Sequence, residues 1–211
     1  MIKHILFDFD GVIIDSMDVR DYGFRQIVQG YDEALVAEFI KYHRYNAGLS
    51  RYVKIRYFYE EMLGKEITEE EVNALAAKFS TIMKEKLVTP KVMITETVNY
   101  IKSTYQDVDL HIVSGSDEKE LNFLCETLGL SHFFKTIEGS PTHKNDLVKN
   151  IMAKYPYITD NTILIGDSIN DYDAAMVNNI NFYGYNNLDL KEKGSAYITT
   201  FKNLPFTVKK S

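Results

Sequence analysis

Two aspartates one residue apart, Asp8 and Asp10, end the first apolar run of the chain, "HILFDFDGVIIDS". A carboxylate at the end of a buried strand loses hydration, so it needs a partner or its pKa rises until it is neutral. Two so close compound the cost unless a cation or the chemistry of a substrate offsets it. Oxygen ligands on one loop suit a hard cation such as Mg²⁺. A carboxylate can also act as a nucleophile toward phosphorus. Gly11, the next residue, lets the backbone approach an anion closely. Taken alone, D-x-D-G reads equally well as a turn with solvated aspartates.

Three further stretches carry chemically able residues. In "HIVSGSDEKEL" the hydroxyl of Ser114, with the turn amides of Gly115 and Ser116, can hold a phosphate oxygen near a helix start. The same serines and Asp117 also make sense as turn and N-cap residues. In "GSPTHKNDLV" Lys144 stands at a helix N-terminus, where a cation opposes the dipole unless it faces an anion. His143 has no second histidine at ligand spacing and reads as a loop residue. In "ILIGDSINDYDAA" Asp167 follows an apolar run and Asp171 opens the next helix, while Asp173 points elsewhere on that helix. Asp8, Asp10, Asp167 and Asp171 together could converge on one metal.

The elements that must position these residues follow from periodicity. Ile5–Phe9, Leu110–Val113 and Thr162–Ile165 read as buried strands, with Asn181–Tyr185 a weaker fourth. Helical patterns cover about 93–105, 117–129, 143–155 and 169–178. Strands alternating with helices predict an α/β fold with a mostly parallel sheet, whose ligands lie beyond the carboxyl ends of the strands. The three clearer strands all carry candidate residues at that end. From residue 15 to about 88 the strand signal disappears and "YVKIRYFYEEMLG" and "TEEEVNALAAKFSTIMKEKL" read as helices, the second opened by a capping box of Thr68 and Glu71. This predicts a helical subdomain over 16–88 inserted into a core of 1–15 and 89–211, with hinges near Ser16 and Val88–Pro90. The chain after Leu188 has no clear pattern.

The 211 residues suffice for one large domain or one with a sizeable insertion. One cysteine, Cys125, excludes an intramolecular disulfide, and no apolar run approaches the length of a membrane span. With no basic, apolar leader at the N-terminus, a cytoplasmic protein without a membrane partner is expected. A formal charge of −6 argues against nucleic acid as a partner but not against a small anionic substrate, since a metal reverses the local sign.

In this order, DFDGVIIDS, VSGS, Lys144 and GDSINDYDAA resemble the motifs of the haloacid dehalogenase-like superfamily, over roughly residues 1–15 and 89–185. The resemblance implies a Rossmann-like, doubly wound parallel sheet with an inserted all-helical cap of the first type. It implies that Asp8 attacks phosphorus and becomes an aspartyl phosphate, and that Asp10 protonates the leaving oxygen and then deprotonates water. Ser114 and Lys144 would hold the phosphoryl group. Mg²⁺ would be bound by the Asp8 side chain, the Asp10 backbone carbonyl and Asp167, supported by Asp171. Donation by Asp10 near neutral pH calls for a raised pKa, which desolvation under a closed cap would supply.

An aspartate at position 10 separates this chain from the dehalogenating branch. The stretch "NAGLSRYVKI" is similar to the cap loop of β-phosphoglucomutases, in which the arginine at the position of Arg51 grips a second phosphate. On spacing alone Ser50 reads equally as an N-cap and Arg51 as a first-turn surface residue. Gly166 replaces an acidic residue of those mutases and Arg20 replaces a hinge histidine, and both departures favour hydrolysis. Lys54, Arg56, Tyr52, Tyr57 and Tyr59 do not share one helical side, so most read as packing or solvated. The expectation is a Mg²⁺-dependent phosphatase, monomer or homodimer, acting on a small phosphorylated metabolite. A phosphomutase is the alternative, and a non-catalytic phosphate-binding module a lesser one.

Overall fold

The computed structural model describes residues 1–208. Its centre is a six-stranded, all-parallel sheet in the order β3-β2-β1-β4-β5-β6, formed by His4–Phe7 (β1), Asp109–Asp117 (β2), Thr136–Ser140 (β3), Thr162–Gly166 (β4), Asn181–Tyr185 (β5) and Ala196–Ile198 (β6). Alternation in the strands sorts side chains to two buried faces. Ile5, Phe7, Ile112, Ile163 and Ile165 join one core with helices Thr95–Thr104 (α5) and Glu118–Thr127 (α6). Leu6, Val113 and Leu164 join another with Lys144–Lys154 (α7) and Ile169–Val177 (α8). Helices on both faces make the sheet doubly wound. The strand order reverses direction at β1, so the crevice beyond Phe7 is the expected ligand position.

The four expected strands are present, and the helical patterns after about residue 93 match α5 to α8. Three details differ. β1 ends at Phe7 rather than Phe9, which frees Asp8 and Asp10 to turn into the loop. β2 continues through Ser114 to Asp117, with its register to β3 shifting between Val113 and Asp117. Strands β3 and β6 carried no recognisable pattern: "TIEGS" and "AYI" are short and lie at the sheet edges, where one-sided burial blurs the signal.

Between β1 and α5 the chain forms four helices: Met17–Ile27 (α1), Glu33–Tyr45 (α2), Arg51–Tyr57 (α3, continued by a π-helical turn, Phe58–Met62) and Glu69–Lys86 (α4). Their apolar sides meet in a cluster of Phe24, Phe39, Phe58 and Phe79. The capping box of Thr68 and Glu71 opens α4. The chain segments leaving and re-entering the sheet are tied together: the Asp15 amide donates to the Val92 carbonyl (2.7 Å) and the Ile94 amide to the Ile13 carbonyl (2.9 Å).

Candidate active site

The ends of β1 and β4 and the first turn of α8 bring Asp8, Asp167 and Asp171 together, one oxygen of each within 4.8 Å of the others. Lys144 lies among them, its ammonium 2.9 Å from Asp8 Oδ1 and also bonded to Asp171. The cation that opposes the α7 dipole is thus stabilised by two carboxylates. Burial alone would lower the Lys144 pKa, but Asp171 and Asp8 outweigh it and raise it. His143, read as a loop residue, is the N-cap of α7, its Nδ1 accepting from the Asn145 amide.

Each carboxylate has a local reason for its place. Asp171 is the third residue of α8 and completes a capping box with Ser168, whose amide donates to its Oδ2 at 3.0 Å. Gly166 is required here, because a Cβ on it would lie 2.3 Å from Asp171 Cβ. Gly11 has φ +76°, and a Cβ on it would lie 1.9 Å from Asp167 Oδ2. What that glycine admits is therefore the Asp167 carboxylate, where an anion's approach to backbone amides was expected. Asp173 is exposed, as anticipated.

Asp8 is raised to about 7, first by burial and then by Asp171, and Asp167 is raised well above its ordinary value by burial and Asp8. Asp167 Oδ1 is buried without a protein hydrogen-bond partner among the described residues. Two buried carboxylates and one half-buried against one ammonium, with an acceptor oxygen left over, fit a divalent cation.

Asp10 belongs to a different set. Its Oδ1 accepts from Ser16 and from Arg20 Nε (2.6 Å), and its Oδ2 from Ser116 Oγ (2.7 Å). Burial would raise its pKa, but the Arg20 charge, then the Ser116 and Ser16 hydrogen bonds, hold it below the ordinary value. Desolvation under the helices was expected to raise it; the arginine they bring along reverses the sign. Ser114 Oγ accepts from the Ser116 amide (3.1 Å) within the irregular end of β2, where the register to β3 shifts.

The helices sit directly over this site. A Cβ on Gly115 would lie 2.3 Å from the Gly48 carbonyl oxygen, so two backbones meet there without side chains. Ser50 is the N-cap of α3, accepting from the Val53 amide. Arg51 is no surface residue: it is 3 % exposed and its Nη1 donates to Glu120 Oε2 at 2.6 Å. Glu120, fully buried on α6, also faces Arg20 Nη1 at 3.4 Å, and Tyr52 donates to Asp117 at 2.8 Å. A small cavity of about 30 Å³ remains, lined by Asp8, Asp10, Arg20, Arg51, Lys54 and Ser114 among others.

Sequence reasoning passed over Glu120, gave Arg20 only by family position and set Lys54 with packing residues. Lys54 is buried in the cavity wall, whereas Arg56 pairs with Glu60 and Glu69, and Tyr57 stacks on Tyr42. It also missed Asn186 and Asn187, whose side-chain amides donate to the Gly11 carbonyl (3.0 Å) and the Asp167 carbonyl (2.8 Å). The "NN" pair directly after β5 was the available signal, since it stands at a strand end like the other site residues.

A parallel, doubly wound sheet with clustered strand-end aspartates and an all-helical insertion after the first strand defines the haloacid dehalogenase-like architecture. The sequence profile of that family, haloacid dehalogenase-like hydrolase, matches residues 5–185, and the chain belongs to it. Among solved structures, β-phosphoglucomutase from Clostridium difficile superposes with a TM-score of 0.80 at 19 % identity, covering 98 % of this chain and 94 % of that one. YfnB from Bacillus subtilis, bound to magnesium, gives 0.71 at 18 % identity over 95 % and 96 %. A predicted phosphoglycolate phosphatase from Haemophilus somnus gives 0.70 at 17 % identity over 95 % of each chain. A search of curated proteins matched none. No helix among the described residues is long and apolar enough to cross a membrane.

Proposed function

We propose that this protein is a Mg²⁺-dependent phosphatase that hydrolyses a small phosphate monoester through an aspartyl phosphate on Asp8. The observation that carries the reading is the pairing of Asp8 with Lys144 inside the carboxylate cluster, with Asp10 held separately on the other side of the loop. Asp8, Asp167 and Asp171, with the backbone carbonyl of Asp10, would hold the ion. When bound, the ion offsets the repulsion between an anionic nucleophile and an anionic phosphoryl group. Lys144 and the Ser114 hydroxyl hold the phosphoryl oxygens, and the amides of Gly115 and Ser116 complete the cradle. Asp8 attacks phosphorus while Asp10 gives its proton to the leaving oxygen. Asp10 then takes a proton from the water that attacks the phosphoenzyme. The Arg20 contact favours ionised Asp10, so the closed arrangement suits this second step.

Residues 16–88 act as the cap. The cavity of about 30 Å³ is too small for an ester with its leaving group, so admission of substrate requires the cap to swing away about the paired segments at Asp15 and Val92. The magnesium-bound and phosphatase neighbours support the metal and the reaction class. A phosphomutase is a second reading because Arg51 faces the cavity, as the arginine of the mutase cap loop would. Phosphate release from a panel of small esters, with Mg²⁺ or a chelator, tests the proposal. Metal-dependent release is the expected result. Phosphorus NMR on glucose 1-phosphate with a trace of glucose 1,6-bisphosphate reads the alternative, because conversion to glucose 6-phosphate without release would overturn hydrolysis.

A further inference from the structure

Four cations, Arg20, Arg51, Lys54 and Lys144, are buried around the cavity or directly beneath it, and three of them have carboxylate partners. Lys54 has none among the described residues. Its ammonium meets His43 Nδ1 at 3.0 Å and the Ala47 carbonyl at 3.1 Å. His43 is neutral, because burial first and then Lys54 itself push its pKa well down. Its Nε2 faces Asp21 Oδ1 at 3.5 Å, an arrangement that leaves the lone pair on Nδ1 for Lys54. A buried ammonium held only by neutral acceptors is costly, and hydrophobic packing would fill the position better. Burial, with Arg20 next, lowers Lys54 to about 7; Asp10 alone opposes this, while Arg51 and Lys144 add to it.

A second observation points the same way. Arg20 Nη2, Arg51 Nε and Arg51 Nη2 are buried without a hydrogen-bond partner among the described residues. All belong to residues lining the same cavity as Lys54, next to Asp8 and Asp10. The pocket is thus lined by an ammonium without a carboxylate partner and by two arginines with three unpaired guanidinium nitrogens between them, a donor set that calls for oxyanion oxygens.

We infer that Lys54 is a specificity-determining residue that receives an oxyanion on the leaving group, so the hydrolysed ester carries a second acidic group, carboxylate or phosphoryl, besides the one transferred. This rests on the phosphatase reading above. His43 is the positioning residue behind Lys54. Because Lys54 gives up its proton readily in the empty pocket and keeps it against an oxyanion, binding takes up a proton. Below pH of about 7 the KM of an acid-bearing ester is flat, and above it KM rises by up to about tenfold per pH unit. The facing charges are Arg20 from α1, Arg51 from α3 and Asp10 and Lys144 from the core, with neutral His43 from α2.

The test compares alkyl phosphates of two to four carbons whose far end is methyl, carboxylate or phosphoryl, using the full chain with Mg²⁺. The two acidic arms tell which oxyanion is preferred. In the wild type the acid-bearing series should show KM at least about tenfold below the neutral series at pH 6.5. Lys54→Met should remove that preference, abolish the rise of KM with pH, and leave kcat and the neutral esters within about threefold. His43→Gln should shift the pH at which KM begins to rise. Lys54→Met should melt no lower than wild type at neutral pH, since it removes an unmatched buried charge. Equal losses on neutral and acidic esters, or a loss confined to kcat, would overturn the inference while leaving the phosphatase reading intact. If wild type hydrolyses no ester, that reading falls, and calorimetry of the same esters with Asp8→Asn decides the inference separately. Tighter binding of the acidic esters that disappears on adding Lys54→Met upholds it, and equal binding ends it.

Discussion

The floor and the roof of this site are built on opposite principles. The floor is acidic and carried by strand ends and by the first turns of two core helices: Asp8, Asp167 and Asp171 around a single lysine. The roof is basic and carried by helices: Arg20 and Arg51 share a single buried glutamate, Glu120, that itself belongs to the core, and Lys54 stands beside them in the same cavity wall without a carboxylate partner among the described residues. Parallel register and the packing of α7 and α8 on the sheet fix the floor without help from the inserted helices. The roof is positioned only when the helices are seated, because its polar ties to the core run through Arg20–Asp10, Glu120 and Tyr52–Asp117. On the proposed reading, chemistry that must be constant sits below, and recognition that must open and shut sits above.

The largest break in that division is expected from Asp8→Asn. It should reduce turnover by at least about 10³-fold with an unchanged melting profile, read by phosphate release and calorimetry. Substantial retained activity would remove Asp8 from the role of nucleophile. Next, Gly11→Ala sets a methyl group against Asp167 and strains a backbone at φ +76°. It should raise the Mg²⁺ concentration needed for half-maximal activity by about tenfold or more, and a Mg²⁺ titration of thermal stability should show the same shift without any turnover.

Arg20→Gln tests the coupling between the two halves. It removes the cation that lowers Asp10, so the Asp10 pKa rises. If Asp10 is the base of the proposed second step, it loses function when pH falls through its pKa; the acid limb of kcat should therefore move to higher pH. An unmoved limb would show that roof and floor are electrostatically independent. The smallest effect is expected at the far end of the roof. Thr68→Ala breaks the α4 capping box and should cost about 1 kcal/mol of stability in denaturant unfolding, with kcat unchanged.

Legibility in the sequence followed the same line. The floor residues stand directly after apolar runs, so local pattern places them on one sheet edge, and Lys144 was traceable as a cation in the wrong place on its helix. The capping box of α4 was equally local. Glu120 and Arg20 are a hundred residues apart and their pairing leaves no local trace; nor does any local pattern reveal that Lys54 turns inward while Arg56, two residues on, pairs on the surface. The reversal of the expected Asp10 shift has the same origin, because it depends on a guanidinium delivered by another element.

If Asp8 forms the proposed phosphoenzyme, the contact of Gly48 with Gly115 bears on its fate. Backbone lies on backbone there, so the seam between the inserted helices and the sheet is a flush joint whose width is set by the absence of a methyl group on Gly115. A single alanine at position 115 acts as a shim. It would prop the joint ajar by a bond length or more, and through that gap bulk water would compete with any bound alcohol for the phosphoryl group. The identity of one glycine thereby meters how much solvent the chemistry sees.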